Sequence, residues 1–328
     1  FENWTRYIDG NESSKIFKFK DGSVFKNWTV DTKSIIRADS FFTSTIYPEY
    51  SRYFKSVDKS PTQTFINLEF IKNGPRKAEI LKLSNGAVFK NWSFDPISQI
   101  KKSDSLELSN NEVYENWSID ELECVKCSIY KSISGEVYHN YCEDINMNRK
   151  SDLVTDNLGS QYKNWEYIKS TKTSKSDLLT TKIGDRYIKF MQNKEFYITA
   201  QLYIENNKNM YKMFKIKYNG DKSCDLFKKN NGSVFENWSE RDGVEKSTLL
   251  TNNSGDKFIN WSKDKFDIES CDELFEFKGN RSLEWVGGYK FQKAKITFLK
   301  SGSKLINYVQ DNIKGFIKAE RFESVEGS

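Results

Sequence analysis

GSVFKNWT at Gly22–Thr29 returns as GAVFKNWS at Gly86–Ser93, NEVYENWS at Asn111–Ser118, GSVFENWS at Gly232–Ser239 and GDKFINWS at Gly255–Ser262. Self-similarity at a fixed period is the signature of a repeat architecture, so the fold is read from this unit outward. Weaker copies end at Tyr141, Trp165, Phe190, Phe214 and Tyr308. The aromatic line then runs Trp4, Trp28, Tyr53, Trp92, Trp117, Tyr141, Trp165, Phe190, Phe214, Trp238, Trp261, Trp285 and Tyr308. Apart from one interruption at about 54–85 its steps are 23 to 25 residues, which makes about thirteen units across a single repeat-built domain, 1–328.

A second line fixes the register. Fourteen residues before these aromatics stand Ser14, Ala78, Ser103, Cys127, Ser151, Ser176, Ala200, Cys224, Ser247, Cys271 and Ala294. Restriction to small side chains implies a tightly packed position where a larger one would overpack. Between the two lines, alternating apolar residues such as Phe17 and Phe19 lead into Asp-Gly, Asn-Gly or Ser-Gly and then into the aromatic strand. That is a hairpin pattern.

In a regular strand Val24 and Trp28 share one face while Phe25 and Asn27 share the other. Aromatics on both faces call for neighbours on both, as in packed propeller blades. The fold class expected is therefore all-β, a β-propeller-like ring of hairpins, with a β-solenoid as the alternative and stacked small barrels or a long meander sheet behind it. KNGPRKAEILKLSNG, inside the interruption, implies an extra strand or hairpin. The Ser-x-Asp segment after each Trp is read as loop, although Ser118 to Glu121 also fits a helix capping box.

The chain ends AERFESVEGS and begins FENWT, and joining the two recreates a nearly complete unit. Its opening in mid-repeat implies a processed product or an excerpt. Strand completion between the ends would close a ring or link one subunit to the next.

Composition narrows the chemistry. With 51 basic and 46 acidic residues interspersed, the net charge of +5 shows no phosphate-tracking block, so nucleic acid is not expected. No apolar run is long enough to span a membrane. The one His, His139, lies among Cys124, Cys127 and Cys142 in a spacing that could bind zinc. The plainer reading is preferred: Cys127 occupies the small-residue line, and His139 stands where other units carry Lys26, Lys90 or Glu115. Five Cys impose no disulfide framework.

The Asn-Trp-Ser/Thr triplets at Asn3, Asn27, Asn91, Asn116, Asn237 and Asn260 match the glycosylation pattern, but the repeat itself generates them. Structural Asn satisfying backbone groups is preferred. No nucleophile elbow, metalloprotease motif or phosphate loop stands out, so no catalytic residue and no cofactor is assigned. The function expected is a non-enzymatic structural or adhesive repeat protein, extracellular or on the surface of a cell or virion, whose partners are itself or other surface proteins. The alternative is a glycan-binding repeat lectin that uses exposed Trp as stacking platforms.

Overall fold

The computed structural model describes residues 1–43, 62–71, 74–195 and 197–325. It is all-β, with 27 antiparallel strands and no helix among the described residues. The strands group into two compact units, Phe1–Ser170 and Thr171–Ser328.

In the first unit the strands are β1 (Thr5–Arg6), β2 (Glu12–Lys18), β3 (Val24–Val30), β4 (Ile35–Thr43), β5 (Gln63–Ile71), β6 (Arg76–Leu83) and β7 (Val88–Asp95). They continue as β8 (Ile100–Glu107), β9 (Val113–Ile119), β10 (Val125–Lys131), β11 (Val137–Glu143), β12 (Arg149–Thr155) and β13 (Gln161–Ile168). The second unit holds β14 (Thr173–Thr180), β15 (Arg186–Gln192), β16 (Ile198–Ile204), β17 (Met210–Ile216), β18 (Lys222–Lys228), β19 (Val234–Arg241) and β20 (Val244–Thr251). It closes with β21 (Lys257–Lys263), β22 (Glu269–Phe275), β23 (Arg281–Gly287), β24 (Phe291–Phe298), β25 (Lys304–Asp311), β26 (Phe316–Lys318) and β27 (Arg321–Glu323). From β1 to β13 and from β14 to β25 each strand pairs antiparallel with the next, and β25 pairs with both β26 and β27.

One turn geometry makes most of the connections. At the Gly turns Phe19 N donates to Ser23 O (2.9 Å), Gly22 N donates to Phe19 O (3.2 Å), and Gly22 holds φ +86°. This is a type I turn closed by a left-handed residue, the three-residue hairpin loop. The Ser-x-Asp segments take the same shape. Asp31 N donates to Ile35 O (3.1 Å), Ser34 sits at φ +62°, and Asp31 Oδ1 accepts from the backbone of Lys33 and Ile35 (each 2.9 Å). Asp120 does likewise for Leu122 (3.1 Å) and Cys124 (2.9 Å), so a hairpin turn replaces the capping box at Ser118. Asp at the turn supplies its own acceptor, which is why Gly is dispensable there.

The interruption holds ordinary members of the series. β5 carries Asn67 and Leu68, and Leu68 pairs with Ala38 as Trp92 pairs with Ala78. Leu68, buried, takes the aromatic position, so β5 and β6 belong to regular units and stand in place of the extra strand or hairpin the sequence implied. Tyr53 lies outside the described residues.

The face assignment is corrected by one dihedral angle. Asn27 has φ +50°, and the residue before the aromatic is left-handed in twelve further copies, from Asn3 to Asn307. The strand rolls over at that point, so Phe25 and Trp28, three residues apart, are both buried on one face. The partner strand follows: Ser103 and Leu106 are both buried. One face therefore collects the aromatics, and the other is left polar. Side-chain alternation fails because it assumes extended φ throughout.

On the apolar face the rings form rows across the strands. Phe25 stacks on Phe41 at 4.1 Å, and Phe65 meets Trp92, Phe89 meets Trp117 and Tyr138 meets Trp165 edge-on at 5.4, 5.2 and 5.3 Å. In the second unit Phe235 meets Trp261 at 5.1 Å and Phe258 meets Trp285 at 5.5 Å. Each such side chain stabilises by about 1.5–3 kcal/mol through burial, and each edge-to-face pair adds about 0.5–1.5 kcal/mol.

Candidate functional site: the polar face and its asparagine rungs

The fourteen-residue offset is a cross-strand pair. Ser14 faces Trp28, Ala78 Trp92, Ser103 Trp117, Cys127 Tyr141, Ser151 Trp165 and Ser176 Phe190. Ala200, Cys224, Ser247, Cys271 and Ala294 face Phe214, Trp238, Trp261, Trp285 and Tyr308 in turn. The small side chain leaves room for the ring, and where it is Ser the hydroxyl has a second use. Ser151 Oγ donates to His139 O (2.5 Å), and Ser247 Oγ donates to Glu236 O (2.8 Å), carbonyls just before the left-handed Asn, where the regular ladder is broken.

The repeat aromatics are consumed by this packing. Trp28, Trp92, Trp117, Tyr141, Phe190, Phe214, Trp238, Trp261 and Trp285 are buried, Trp117 to 1% exposure. Trp165 and Tyr308 are half-buried, and Trp4 alone stands out at 48%. The indole N–H groups of Trp238 and Trp261 are satisfied inside the sheet by Glu245 (3.0 Å) and Glu269 (3.1 Å), whereas that of Trp92 is buried without a partner.

On the opposite face the left-handed Asn makes a rung. Asn27 Nδ2 donates to Asp39 (2.6 Å), Asn91 to Asp104, Asn140 to Asp152 and Asn260 to Asp272 (each 2.7 Å). Asn67 pairs with Glu79 and Asn307 with Glu320, while Asn116 finds Ser128 (2.9 Å) and Asn237 finds Thr248 (3.1 Å). Asn suits the place twice, tolerating positive φ and carrying a donor of the right length. In two of the three copies that lack it an ion pair substitutes: Lys189 reaches Asp177, and Lys295 reaches Glu284, each at 2.7 Å, while Met213 stands in the third. The sequon asparagines at 27, 91, 116, 237 and 260 are thus engaged in cross-strand bonds, to side chains rather than to the backbone groups expected from sequence.

Across β21–β25 the rungs form one wall of an open cleft of about 700 Å³. Asn260, Asp272, Glu284, Lys295 and Asn307 stand on one side of the Trp285 backbone, and Ser262, Ser270 and Lys293 on the other. The cleft offers amides, carboxylates, hydroxyls and ammonium groups side by side, a lining suited to hydroxyl-rich or zwitterionic ligands.

A second cavity, about 310 Å³, lies on the aromatic side between β9 and β12 and departs from the repeat in its chemistry. Tyr stands at 114, 130, 138 and 141, and three of the four hydroxyls are matched to carboxylates. Tyr130 donates to Glu112 (2.9 Å), Tyr138 to Glu136 (2.9 Å) and Tyr141 to Glu143 (2.6 Å), and Glu143 also accepts from Arg149 Nε (2.9 Å). Burial, and then the neighbouring carboxylates, hold these phenols protonated far above their usual range. The set is closed on itself.

The zinc candidates do not converge. Cys127 is buried beneath Tyr141, with its thiol pushed up to about 12 by burial, whereas Cys142 pairs with Lys126 and His139 lies between Ile129 and Leu153. No group of three or more His, Cys, Asp or Glu residues suited to a metal occurs among the described residues. All five Cys are free thiols.

No family model and no curated protein sequence matches the chain. Among solved structures, it is similar to the TCP10c domain of Drosophila melanogaster Sas-4, at 10% identity over 57% of this chain and 93% of that one, with a TM-score of 0.18. So slight a likeness bears on neither fold nor function.

Proposed function

We propose that the chain is a non-catalytic structural and adhesive protein of a cell or particle surface, in which the repeat builds a stiff scaffold and the polar face makes the contacts. The observation carrying this reading is the division of labour between the faces. Nearly all of the repeated aromatics are packed away, and the residues left outside form regular polar rows.

The unbroken strand-to-strand pairing from β1 to β13 supports a continuous, solenoid-like ribbon over separate propeller blades, which would interrupt it. Burial of the Trp row speaks against the lectin variant built on exposed indole platforms. Self-association through strand completion is a second reading, favoured by apolar side chains on the outer strands: Ile317 is 63% and Phe322 59% exposed. Incubation of the purified chain with arrayed surface glycans and surface proteins, with light scattering in parallel, tests both. Saturable capture or concentration-dependent growth supports the proposal; a monomer that turns over a substrate and captures nothing refutes it.

A further inference from the structure

We propose that the polar face of the first unit carries a binding track for a linear anionic polysaccharide, built from Lys77, Lys102, Lys126 and Lys150. The inference rests on the reading of the polar face as the contact face and names what it contacts. These lysines are 24 or 25 residues apart in sequence, yet the register lines them up. Lys77 pairs with Ser93, Ser93 with Lys102, Lys102 with Ser118, Ser118 with Lys126, Lys126 with Cys142 and Cys142 with Lys150. The result is one straight row over seven strands, β6 to β12, with a cation on every second strand. Each lysine neighbours a buried small residue of the Trp row, so each projects to the opposite, polar face, and all four are exposed. All four have acidic neighbours: Lys77 faces Glu69, itself held by Arg37 at 2.7 Å, Lys102 acts on Asp95, and Lys126 and Lys150 reach Asp120 at 3.8 Å and Glu166 at 3.3 Å with side chains 62% and 68% exposed. Pairs that exposed hold their partners weakly and can exchange them.

The repeat does not require lysine at this position. In the second unit the equivalent places are Lys175, Thr199, Ser223, Lys246, Ser270 and Lys293, so lysine there is interrupted by hydroxyl residues on the same fold. What is particular to the first unit is the uninterrupted run of four lysines on alternate strands, which the scaffold does not require.

Spacing selects the ligand. Strands lie about 4.8 Å apart, which puts the ammonium groups about 10 Å apart. A sugar ring advances by about one strand spacing, so a polymer with one sulfate or carboxylate per disaccharide meets one lysine per repeat. Its hydroxyls then fall against Ser93 and Ser118 and against the Asn91–Asp104 rung two residues further along the strands. A nucleic acid strand carries a charge about every 3.4 Å, too dense for this row. Such a strand would also find no stacking platform, because the indoles that could hold its bases are buried on the other face. A protein partner would need an aromatic or aliphatic anchor at the centre of its contact, and the row has none.

The test compares the full chain with a variant carrying Lys77→Gln, Lys102→Gln, Lys126→Gln and Lys150→Gln. A control removes the same charge off the row, at Lys18, Lys20, Lys82 and Lys169. Titration with sulfated dextran, neutral dextran and single-stranded DNA at several salt concentrations is expected to show salt-dependent binding of the sulfated polymer alone. Affinity should fall about tenfold or more, with a weaker salt dependence, in the row variant but not in the control. Circular dichroism checks that each variant is folded. Equal losses in the two variants, tighter binding of DNA, or no binding of sulfated dextran by the folded wild type would overturn the track. Capture of neutral dextran alone would also overturn it, while leaving the contact face intact as a reading.

Discussion

Replacing Asn91 probes the element on which the face assignment depends. Asn91 sits at φ +49°, and its Nδ2 donates to Asp104 at 2.7 Å on an exposed rung. Asn91→Ala loses that bond, worth about 0.5–1.5 kcal/mol, and forces a Cβ-bearing residue without a polar side chain into the left-handed region, which costs about 1–2 kcal/mol. The total is about 1.5–3.5 kcal/mol. Asn91→Gly loses the same bond but adopts positive φ freely, so it should be the more stable of the two by about 1 kcal/mol. In an ordinary strand the order is the reverse, because Gly there is destabilising by roughly 0.5–1 kcal/mol relative to Ala. Urea denaturation of the two variants, followed by far-UV circular dichroism, reads the difference directly. If Ala proves as stable as Gly or more so, the strand is not rolled at Asn91 and the single aromatic face is wrong.

Ser151→Leu should destabilise by about 1–3 kcal/mol through overpacking against Trp165, and Ser151→Ala should cost less; a thermal melt unchanged by Leu would contradict the Ser–Trp pairing. Alkali should loosen the fold before it cleaves it. Burial raises Cys127, Cys224 and Cys271 from 9.0 to about 12, so the native thiols keep protons that the unfolded chain releases. Their stabilisation is complete below pH 9 and lost as pH rises through the folded value, which a series of melts between pH 8 and about 12 would show as a falling midpoint. A flat midpoint across that window would argue that the thiols are exposed. A strong chelator should leave the melt unchanged, since Cys124, Cys127, His139 and Cys142 do not converge; a lowered midpoint, together with stoichiometric zinc in the purified chain, would contradict that.

Much of this architecture could be read from the letters, because the repeat writes its pairings into fixed offsets. Hairpin turns, strand order and the Ser14–Trp28 type of partner all follow from spacing, which is local information. What escaped reading was conformation and distance. A left-handed Asn27 looks like any strand Asn, yet it moves Phe25 to the face of Trp28. Leu68 escaped because it is not aromatic and follows the longer connection between β4 and β5. The lysine row escaped because its members are scattered through the sequence among acidic residues, and only the register of seven strands brings them into line. The hydroxyl-for-ring exchanges around Arg149 were visible as Tyr, but their pairing with Glu112, Glu136 and Glu143 depends on turns that bring them back beside the strands.

The central claim is that the repeated aromatics are spent inside the scaffold, leaving the polar face to make contacts. Iodide quenching of tryptophan fluorescence tests it most directly. Of the eight tryptophans, Trp28, Trp92, Trp117, Trp238, Trp261 and Trp285 are buried, Trp165 is half-buried and Trp4 is exposed. The account predicts a small accessible fraction, abolished for the most part by Trp4→Phe, and a remaining emission typical of apolar surroundings. Quenching of most of the fluorescence in the folded chain, undiminished by Trp4→Phe, would mean that the indoles face solvent as binding platforms, and would contradict it.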